Sequence, residues 1–512
     1  MDEGNKRVIY ISDFDINSLR ELLETKKSSL IYVYNLKDYS EDIIRALISM
    51  GYADKTDKAG RTNKGQFTYL IGKYKKTFKI YVKLNSKVAV TFLDFCNIVA
   101  GNKIQLLEAY KKDTIKECMQ EAIEQLNAFG MTDSSTIGGA SLKIFKGNIP
   151  YNYNFMFPHK IYNIECPKSF PYIKNIGDLV RLSYAGGWCY VNPKYQDKII
   201  DKGVTYDDNS LYPFCMVNFK YPVGNPTLIW EGEEPKLSKD LGDLRYRFYV
   251  ILTRFKLKPG KVPFIKIKND FRYKPTDTPV VVDHAVNLVL NETDYALFKE
   301  CYDITYIKHI GGCNFRTESG SWLFGDYINK LYDIKQTADG VVKHTAKMLL
   351  NNLGGKFGSG MDSSHYVYDA ETDKLRMEFE WNRQGSYIPV ASAMTAYARM
   401  ITITGALQNI DRFIYSDTDS LHLVGEEEAQ GINISKDMGD WKVEHTWTKG
   451  YYAQQKQYSF ITATDNPYFI GEETRNSKVH FVVAGMMDIE KWAIIEQTDV
   501  PSKLLKEQKN IC

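Results

Sequence analysis

The period of apolar residues changes repeatedly along the chain, and each change predicts an element. Ser29-Leu30-Ile31-Tyr32-Val33-Tyr34 is a short apolar run that predicts a buried strand, followed by Asn35-Leu36-Lys37-Asp38-Tyr39. Ile43, Ile44, Ala46, Leu47 and Met50 then recur at helical spacing, so residues 1–50 predict a helix, a strand and a second helix. Three strands are expected between residues 66 and 96, and Lys112 to Phe129 reads as one amphipathic helix. Together these predict a sheet with flanking helices up to about residue 130. Residues 131–178, irregular and carrying Gly, Pro, Ser and Asn, mark a domain boundary.

Beyond that boundary, Gly203-Val204-Thr205-Tyr206 predicts a strand that ends in Asp207-Asp208 and a turn. From Arg254 to Lys274 basic residues (Arg254, Lys256, Lys258, Lys266, Lys268) alternate with apolar ones. This predicts half-buried strands with one basic face, either simply solvated or tracking phosphates. Residues 319–358 read as helical, with Lys335, Lys343, Lys347 and Asn351 near one face and a stop at Asn352-Leu353-Gly354-Gly355. His365 to Phe379 predicts a hairpin with Glu371-Thr372-Asp373 at its tip, and Pro389 opens a long helix through Tyr397 and Arg399. Arg412-Phe413-Ile414 and Leu421-His422-Leu423-Val424 then flank a polar break, which predicts two short strands and a tight turn. A short apolar stretch surrounds Val482-Val483-Ala484-Gly485-Met486, and no internal repeat is visible.

Composition narrows this only slightly. The 512 residues are 44% hydrophobic and 25% charged, as expected for a globular chain of more than one domain. Sixty-six basic and 63 acidic residues leave a net charge of +3, so any nucleic-acid surface has to be a local basic patch. The eight cysteines form no Cys-x-x-Cys and no zinc-like pairing with His, which predicts free thiols in a reduced compartment. No signal peptide and no apolar run near the ~20 residues of a membrane span are seen, so an intracellular place without a membrane partner is expected.

Candidate chemistry gathers at Tyr415-Ser416-Asp417-Thr418-Asp419-Ser420. A hairpin there would hold two carboxylates at the tip of a buried sheet, where unpaired charge is costly. A solvated turn has the same composition, and the Asp207 strand supplies the third carboxylate that favours a site. Asp207 and Asp419 together suit two divalent metals that clamp the attacking and leaving oxygens of a phosphoryl transfer. Oxygen donors without Cys or His favour magnesium, with manganese as the alternative. Lysines carried on a helix suit a triphosphate clamp, although a lysine stripe is also an ordinary solvated face. Tyr184-Ala185-Gly186-Gly187-Trp188 offers close backbone approach and stacking surface, or else a plain turn.

In order, these stretches resemble the family B DNA polymerases, most closely the protein-primed branch of phages and linear plasmids. Asp-x-x-Ser-Leu-Tyr-Pro is carried by Asp207, Ser210, Leu211, Tyr212 and Pro213, and Tyr-x-Asp-Thr-Asp-Ser by Tyr415 and the residues from Asp417 to Ser420. Lys-x-x-x-Asn-x-x-x-Gly is carried by Lys347, Asn351 and Gly355, Lys-x-Tyr by Lys456 and Tyr458, and Tyr-x-Gly-Gly by Tyr184, Gly186 and Gly187. The resemblance runs over residues 180–490. It implies an α/β (α+β) right-hand polymerase fold of palm, fingers and thumb, preceded by a truncated ribonuclease-H-like exonuclease domain.

On that resemblance residues 1–178 are the exonuclease-like domain and 179–512 the polymerase domain. Within the latter, the palm takes 179–259 and 389–445, a terminal-protein-region insertion 260–318, and the fingers 319–360. A strand-displacement hairpin takes 361–388 and the thumb 446–512. Asp207 and Asp419 would bind both metals with Asp417 in support. Ser210, Leu211, Tyr212, Lys335, Lys347 and Asn351 would bind the nucleotide, with Tyr212 flat under the sugar to select deoxynucleotides. Tyr184, Gly186, Gly187, Lys343, Thr418, Lys456 and Tyr458 would bind DNA, the Tyr184 loop on the template and Lys456 and Tyr458 on the primer end. The implied partners are primer-template DNA, dNTPs and a terminal protein as primer, in the cytoplasm of a host cell for a viral protein.

The chain also departs from the pattern. The family carries a fingers Tyr where Gly354 stands, and loss of a stacking platform of about 1–3 kcal/mol per base predicts weaker nucleotide binding or lower fidelity. Asn35 and Asp38 resemble the second exonuclease motif with its last two residues exchanged, and Asp113 the third with one residue missing. Asp13-Phe14-Asp15 imitates the first but lies too near Asn35. Exonuclease activity is therefore expected to be lost. The competing reading is a retired polymerase fold that binds DNA or a partner protein. A nuclease is disfavoured because hydrolysis gives a lysine-bearing fingers helix no task.

Overall fold

The structure is a computed structural model that describes residues 6–56, 61–72, 75–99, 102–130, 134–235, 245–360, 363–369, 371–380, 386–462 and 479–483. It divides into two compact units, residues 1–159 with 324–387 and residues 160–323 with 388–512.

The first unit contains the expected helix, strand and helix as the short α1 (Leu19–Leu23), β2 (Ser29–Val33) and α2 (Ser40–Ser49), preceded by an additional strand, β1 (Arg7–Ile11). The β-branched and aromatic run Val8-Ile9-Tyr10-Ile11 suits a strand and pairs in parallel with β2. β3 (Ala53–Asp54), β4 (Gln66–Gly72), β5 (Lys76–Lys83) and β6 (Ala89–Asp94) follow, the last three as expected. The sheet order β1-β2-β6-β5-β4 is parallel across β1, β2 and β6 and antiparallel from there on. Ile43, Ile44 and Leu47 of α2 pack against Ile31, Val33, Phe67, Ile80 and Phe92 in its core.

Helices α3 (Lys103–Tyr110) and α4 (Ile115–Ala128) each begin with a capping box, Asn102 with Gln105 and Thr114 with Glu117. The stretch 131–178, read as irregular, instead contains α5 (Ile137–Asn148), α6 (Tyr153–Met156) and the start of α7 (Ile176–Ser183). Gly138 and Gly139 misled the reading. They lie in the first turn of α5, where Thr136 caps the helix and Gly138 lies close to Asn352 and Lys356.

The second unit continues from α7 with β7 (Cys189–Val191), β8 (Ile199–Ile200), β9 (Gly203–Asp208), α8 (Leu211–Asn218), β10 (Lys220–Glu231) and β11 (Arg245–Leu257). β12 (Val281–Asn291), α9 (Glu292–Cys301) and β13 (Tyr302–Ser319) complete an antiparallel sheet of order β10-β13-β11-β12. The expected basic strands stop at Leu257, because Pro259 and Pro263 lack the N–H a ladder needs. Lys266 and Lys268 consequently lie off any strand. Lys268 donates to the carbonyls of Arg181 and Tyr184, and burial pushes its pKa down to about 8.

α10 (Gly320–Thr337) and α11 (Gly340–Phe357) replace the single helix expected over 319–358. Gly340, at a left-handed φ of 57°, makes the break, so Lys335 sits on one helix and Lys343 and Lys347 on the next. The predicted stop at Gly354-Gly355 does not end α11 either. Gly354 is buried inside it, and α11 packs on α5, where Ser141 donates to the Leu349 carbonyl at 2.7 Å. Phe145, Tyr153, Phe157, Phe324 and Phe357 form an aromatic cluster at the base of these helices. The hairpin β14 (Ser363–Asp369) and β15 (Lys374–Glu380) forms as expected and extends the first unit's sheet beyond β4.

The chain returns to the second unit through α12 (Ile388–Gln408), a largely buried helix. β16 (Phe413–Asp417), β17 (Ser420–Val424), β18 (Trp441–Gln454), β19 (Gln457–Thr462) and β20 (Val479–Val483) follow. The sheet order is β20-β19-β18-β9-β17-β16-β7, with β8 beside β18. Tyr206, Leu421, Leu423 and Trp441 from one face of this sheet share a core with Ile403 and Ala406 of α12. Of the apolar stretch around Val482, residues 484–486 lie outside the described residues.

Candidate active site

Three strands of the second unit bring the carboxylates together. β9 lies between β17 and β18, and Asp207 on it faces Ser420 across one ladder and Lys442 across the other. The amide of Asp208 donates to the carbonyl of Asp419 at 2.8 Å, which ties the β16–β17 turn to the end of β9. Thr418 makes that turn in the left-handed region at φ 65°. Its amide donates to the Trp188 carbonyl at 2.7 Å and its carbonyl accepts from Thr402 Oγ1 of α12 at 2.9 Å.

The charge is concentrated. Burial, and then the Asp207 charge, push the Asp419 carboxyl up to about 6. Asp208 points from the opposite face of the pleated strand and is 2% exposed. Neither of its carboxylate oxygens has a hydrogen-bond partner among the described residues. Burial, and then Asp419 and Asp207, push it up to about 8. Lys442 Nζ reaches Asp207 Oδ2 and Lys456 Nζ reaches Asp417 Oδ1. Among the described residues no group of three or more His, Cys, Asp and Glu side chains is disposed to hold a metal by itself. The pair Asp207 and Asp419 nevertheless fits divalent magnesium or manganese, since its donors are all oxygen and its charge is relieved only by lysine. Substrate oxygens would complete such a shell.

Beneath the turn lies a hydrogen-bonded aromatic cluster. The Tyr415 hydroxyl donates to Asp417 Oδ2 at 3.3 Å and accepts from the Lys456 amide at 3.0 Å, and it lies 3.2 Å from Cys189 Sγ. Tyr458 packs on Tyr415 at 4.8 Å between centroids. His422 is enclosed beside Tyr452 and Thr205, and burial pushes it down to about 3, so it stays neutral. Tyr212, at the start of α8, is raised mainly by burial and senses the charges of Arg399, Asp419 and Tyr184.

The Tyr184 loop is fixed from below. Arg399 of α12 donates through Nη1 to the carbonyls of Ala185 and Gly186 at 2.6 and 2.7 Å, and pairs through Nε and Nη2 with Asp294. A Cβ at Gly187 would lie 2.6 Å from Thr418, so this glycine is required by the β16–β17 turn. Gly186 has nothing within 4 Å of such an atom and is the open member of the pair.

The family described as DNA polymerase type B, organellar and viral, matches residues 63–438, most of the chain. The chain belongs to that family. The DNA polymerase of Bacillus phage phi29 is 34% identical over 371 residues, covering 70% of this chain and 61% of the phage protein. That of Streptococcus phage Cp-1 is 31% identical over 305 residues, covering 56% and 52%. The chain thus spans about three fifths of the length of the curated phage relative. A solved phi29 DNA polymerase complexed with primer-template DNA and incoming nucleotide superposes with a TM-score of 0.77 at 26% identity, over 94% of this chain and 87% of that one. The right-hand polymerase fold follows from that likeness.

Within this polymerase fold, the second unit brings together Asp207, Asp417, Asp419, Thr418, Gly187, Tyr212, Lys456 and Tyr458. Ser210 adopts the left-handed conformation that starts α8, and Leu211 is buried behind it. Lys335, Lys343, Lys347 and Asn351 belong to the first unit, where Lys343, Lys347 and Asn351 form an exposed stripe on α11. Of the exonuclease candidates, Asn35 Nδ2 donates to Asp38 Oδ2, while Asp113 is exposed between α3 and α4 with no bond to either. Asp15 caps the turn Ile16–Ser18 rather than facing them. The buried acid of that region is Asp94, pushed up to about 6 by burial. Arg399, Asp294, Asp208 and Lys442 were missed. Only Asp208 carried a readable signal, as the second of two adjacent acids at a strand end.

Among the described residues no helix is long and apolar enough to cross a membrane.

Proposed function

We propose that this chain is a DNA-directed DNA polymerase that adds dNTPs to a 3′-hydroxyl on a template. The observation that carries the reading is the register that sets Asp207 of β9 beside the Asp417–Asp419 turn, inside a family of polymerases. Two magnesium ions, once bound, would lower the pKa of the 3′-hydroxyl and neutralise the charge building on the departing pyrophosphate. Asp207 and Asp419 hold those ions, and Asp417, fixed by Tyr415 and Lys456, supports the turn. Tyr212 underlies the sugar, and Ser210 and Leu211 set its helix. The triphosphate is assigned to Lys335, Lys347 and Asn351 on motif spacing. Lys456 and Tyr458 hold the primer end, Thr418 and the Tyr184-Gly186-Gly187 loop the template strand, and Lys343 the DNA backbone.

The phage relatives support primer-template DNA and dNTPs as partners, and the 260–318 segment is assigned to a terminal protein that primes replication of a viral or plasmid genome. Proofreading is absent on this reading, because the first exonuclease motif has no clear equivalent and Asn35 and Asp38 satisfy each other. Primer extension on a primed single strand with magnesium or manganese tests it. Wild type extends and Asp419→Ala does not, and a lane without dNTPs shows no shortening of the primer. No extension by wild type would support a retired fold that binds DNA or a partner.

A further inference from the structure

Lys442 has no task in the mechanism above, yet it is placed where a metal is needed. It stands directly across from Asp207 in the β9–β18 ladder, at the cross-strand distance where side chains interact. Its ammonium is turned back onto Asp207 Oδ2. The lysine side chain is 45% exposed and that of Asp207 23%, so the pair lies at the mouth of the site rather than in the core. We propose that Lys442 is the resident countercation of the metal-free site, occupying the Asp207 oxygen that a divalent ion must take and leaving it when the ion binds.

The inference rests on the reading of Asp207 and Asp419 as the metal-binding pair. Its physical basis is exclusion. An ammonium and a divalent cation cannot both lie against Oδ2, so metal affinity is lowered by whatever the ion pair contributes. In the absence of metal, the lysine offsets the negative charge of Asp207 and Asp419, which lie at one end of β9 and its adjoining turn. Asp440 acts on Asp208 and Asp417 on Asp419, both acidic, and among the described residues Lys442 is the cation that acts on both Asp208 and Asp419. Lys456 is already engaged by Asp417.

The test is Mn2+ binding by the full chain, free of DNA and nucleotide, followed by the electron paramagnetic resonance signal of unbound Mn2+. Lys442→Met and Lys442→Gln are compared with wild type, with Lys449→Met on the same strand as a control and Asp419→Ala to identify the site. Both Lys442 variants should bind Mn2+ about three- to tenfold tighter, and Lys449→Met should match wild type. Thermal unfolding supplies a second reading. The Lys442 variants should melt below wild type in chelator, and the gap should close when Mn2+ is added. A purely structural lysine would leave the gap unchanged. Unchanged Mn2+ affinity in both variants overturns the role of Lys442 alone, whereas Mn2+ binding indifferent to Asp419→Ala overturns the metal-site reading with it.

Discussion

Replacing Arg399 by methionine removes a cation that holds two things at once. Its side chain is 3% exposed and that of Asp294 6%, so the pair is dry. Nε and Nη2 donate to the Asp294 carboxylate, and Nη1 donates to the carbonyls of Ala185 and Gly186. After the substitution Asp294 keeps the Asn291 Nδ2 donor at 2.9 Å but loses its paired guanidinium, leaving only the longer-range charge of Lys268 among the described residues. Breaking one side of a buried pair costs about 3–5 kcal/mol, with the released carbonyls at the upper end of that range unless water reaches them. At about 2–4 °C per kcal/mol for a domain of this order, the melting transition of the second unit should fall by roughly 10–20 °C. Denaturant titration in chelator reads this directly. Adding Asp294→Leu to Arg399→Met should recover most of the loss, because the orphaned charge is then gone. Stability within about 1 kcal/mol of wild type for the single variant would refute the argument. So would a double variant no more stable than the single.

Two further outcomes follow from the turn and its carboxylates. Gly187→Ala places a methyl 2.6 Å from Thr418, whose amide and carbonyl are both pinned, so the β16–β17 turn has to move. A displacement near 1 Å predicts about a 10²-fold lower extension rate with DNA binding retained, and a rate within twofold of wild type would contradict it. The folded Asp208 carboxyl titrates near 8, against about 4 when unfolded, so the folded state holds its proton longer. Metal-free stability is therefore greatest at low pH in this respect and is lost as pH rises toward and through 8. Asp208→Asn, which cannot ionise, should flatten the fall in melting temperature between pH 5 and 9, and an unchanged slope would show that Asp208 is not its source.

What could be read from the chain depended on whether the deciding interaction was local. The hairpin around Asp417 and Asp419 was legible because period-two apolar runs flank a polar turn, and the same alternation located Asp207 at the end of β9. The exposed stripe of Lys343, Lys347 and Asn351 on α11 was legible from helical spacing. Glycine was harder, because it serves two opposed purposes. Gly340 does end a helical run, through its positive φ, whereas Gly354 lies buried within α11 and Gly138 lies near the α11 backbone, where small size favours close packing. β1 was not foreseen, because its parallel partner β2, not a local pattern, makes a strand of it. The remaining gaps concern choice of partner. Nothing near Arg399 in sequence indicates Asp294, which lies 105 residues away, and nothing near Lys442 indicates Asp207, which lies 235 away. Both lysine and arginine looked like ordinary surface or helix charges. Only the strand order β18-β9-β17 and the burial of α12 set one against Asp207 and the other beneath the Ala185 and Gly186 carbonyls. The candidate carboxylates thus lie in local motifs, whereas the strand ladders and charge pairs that hold them in place are long-range.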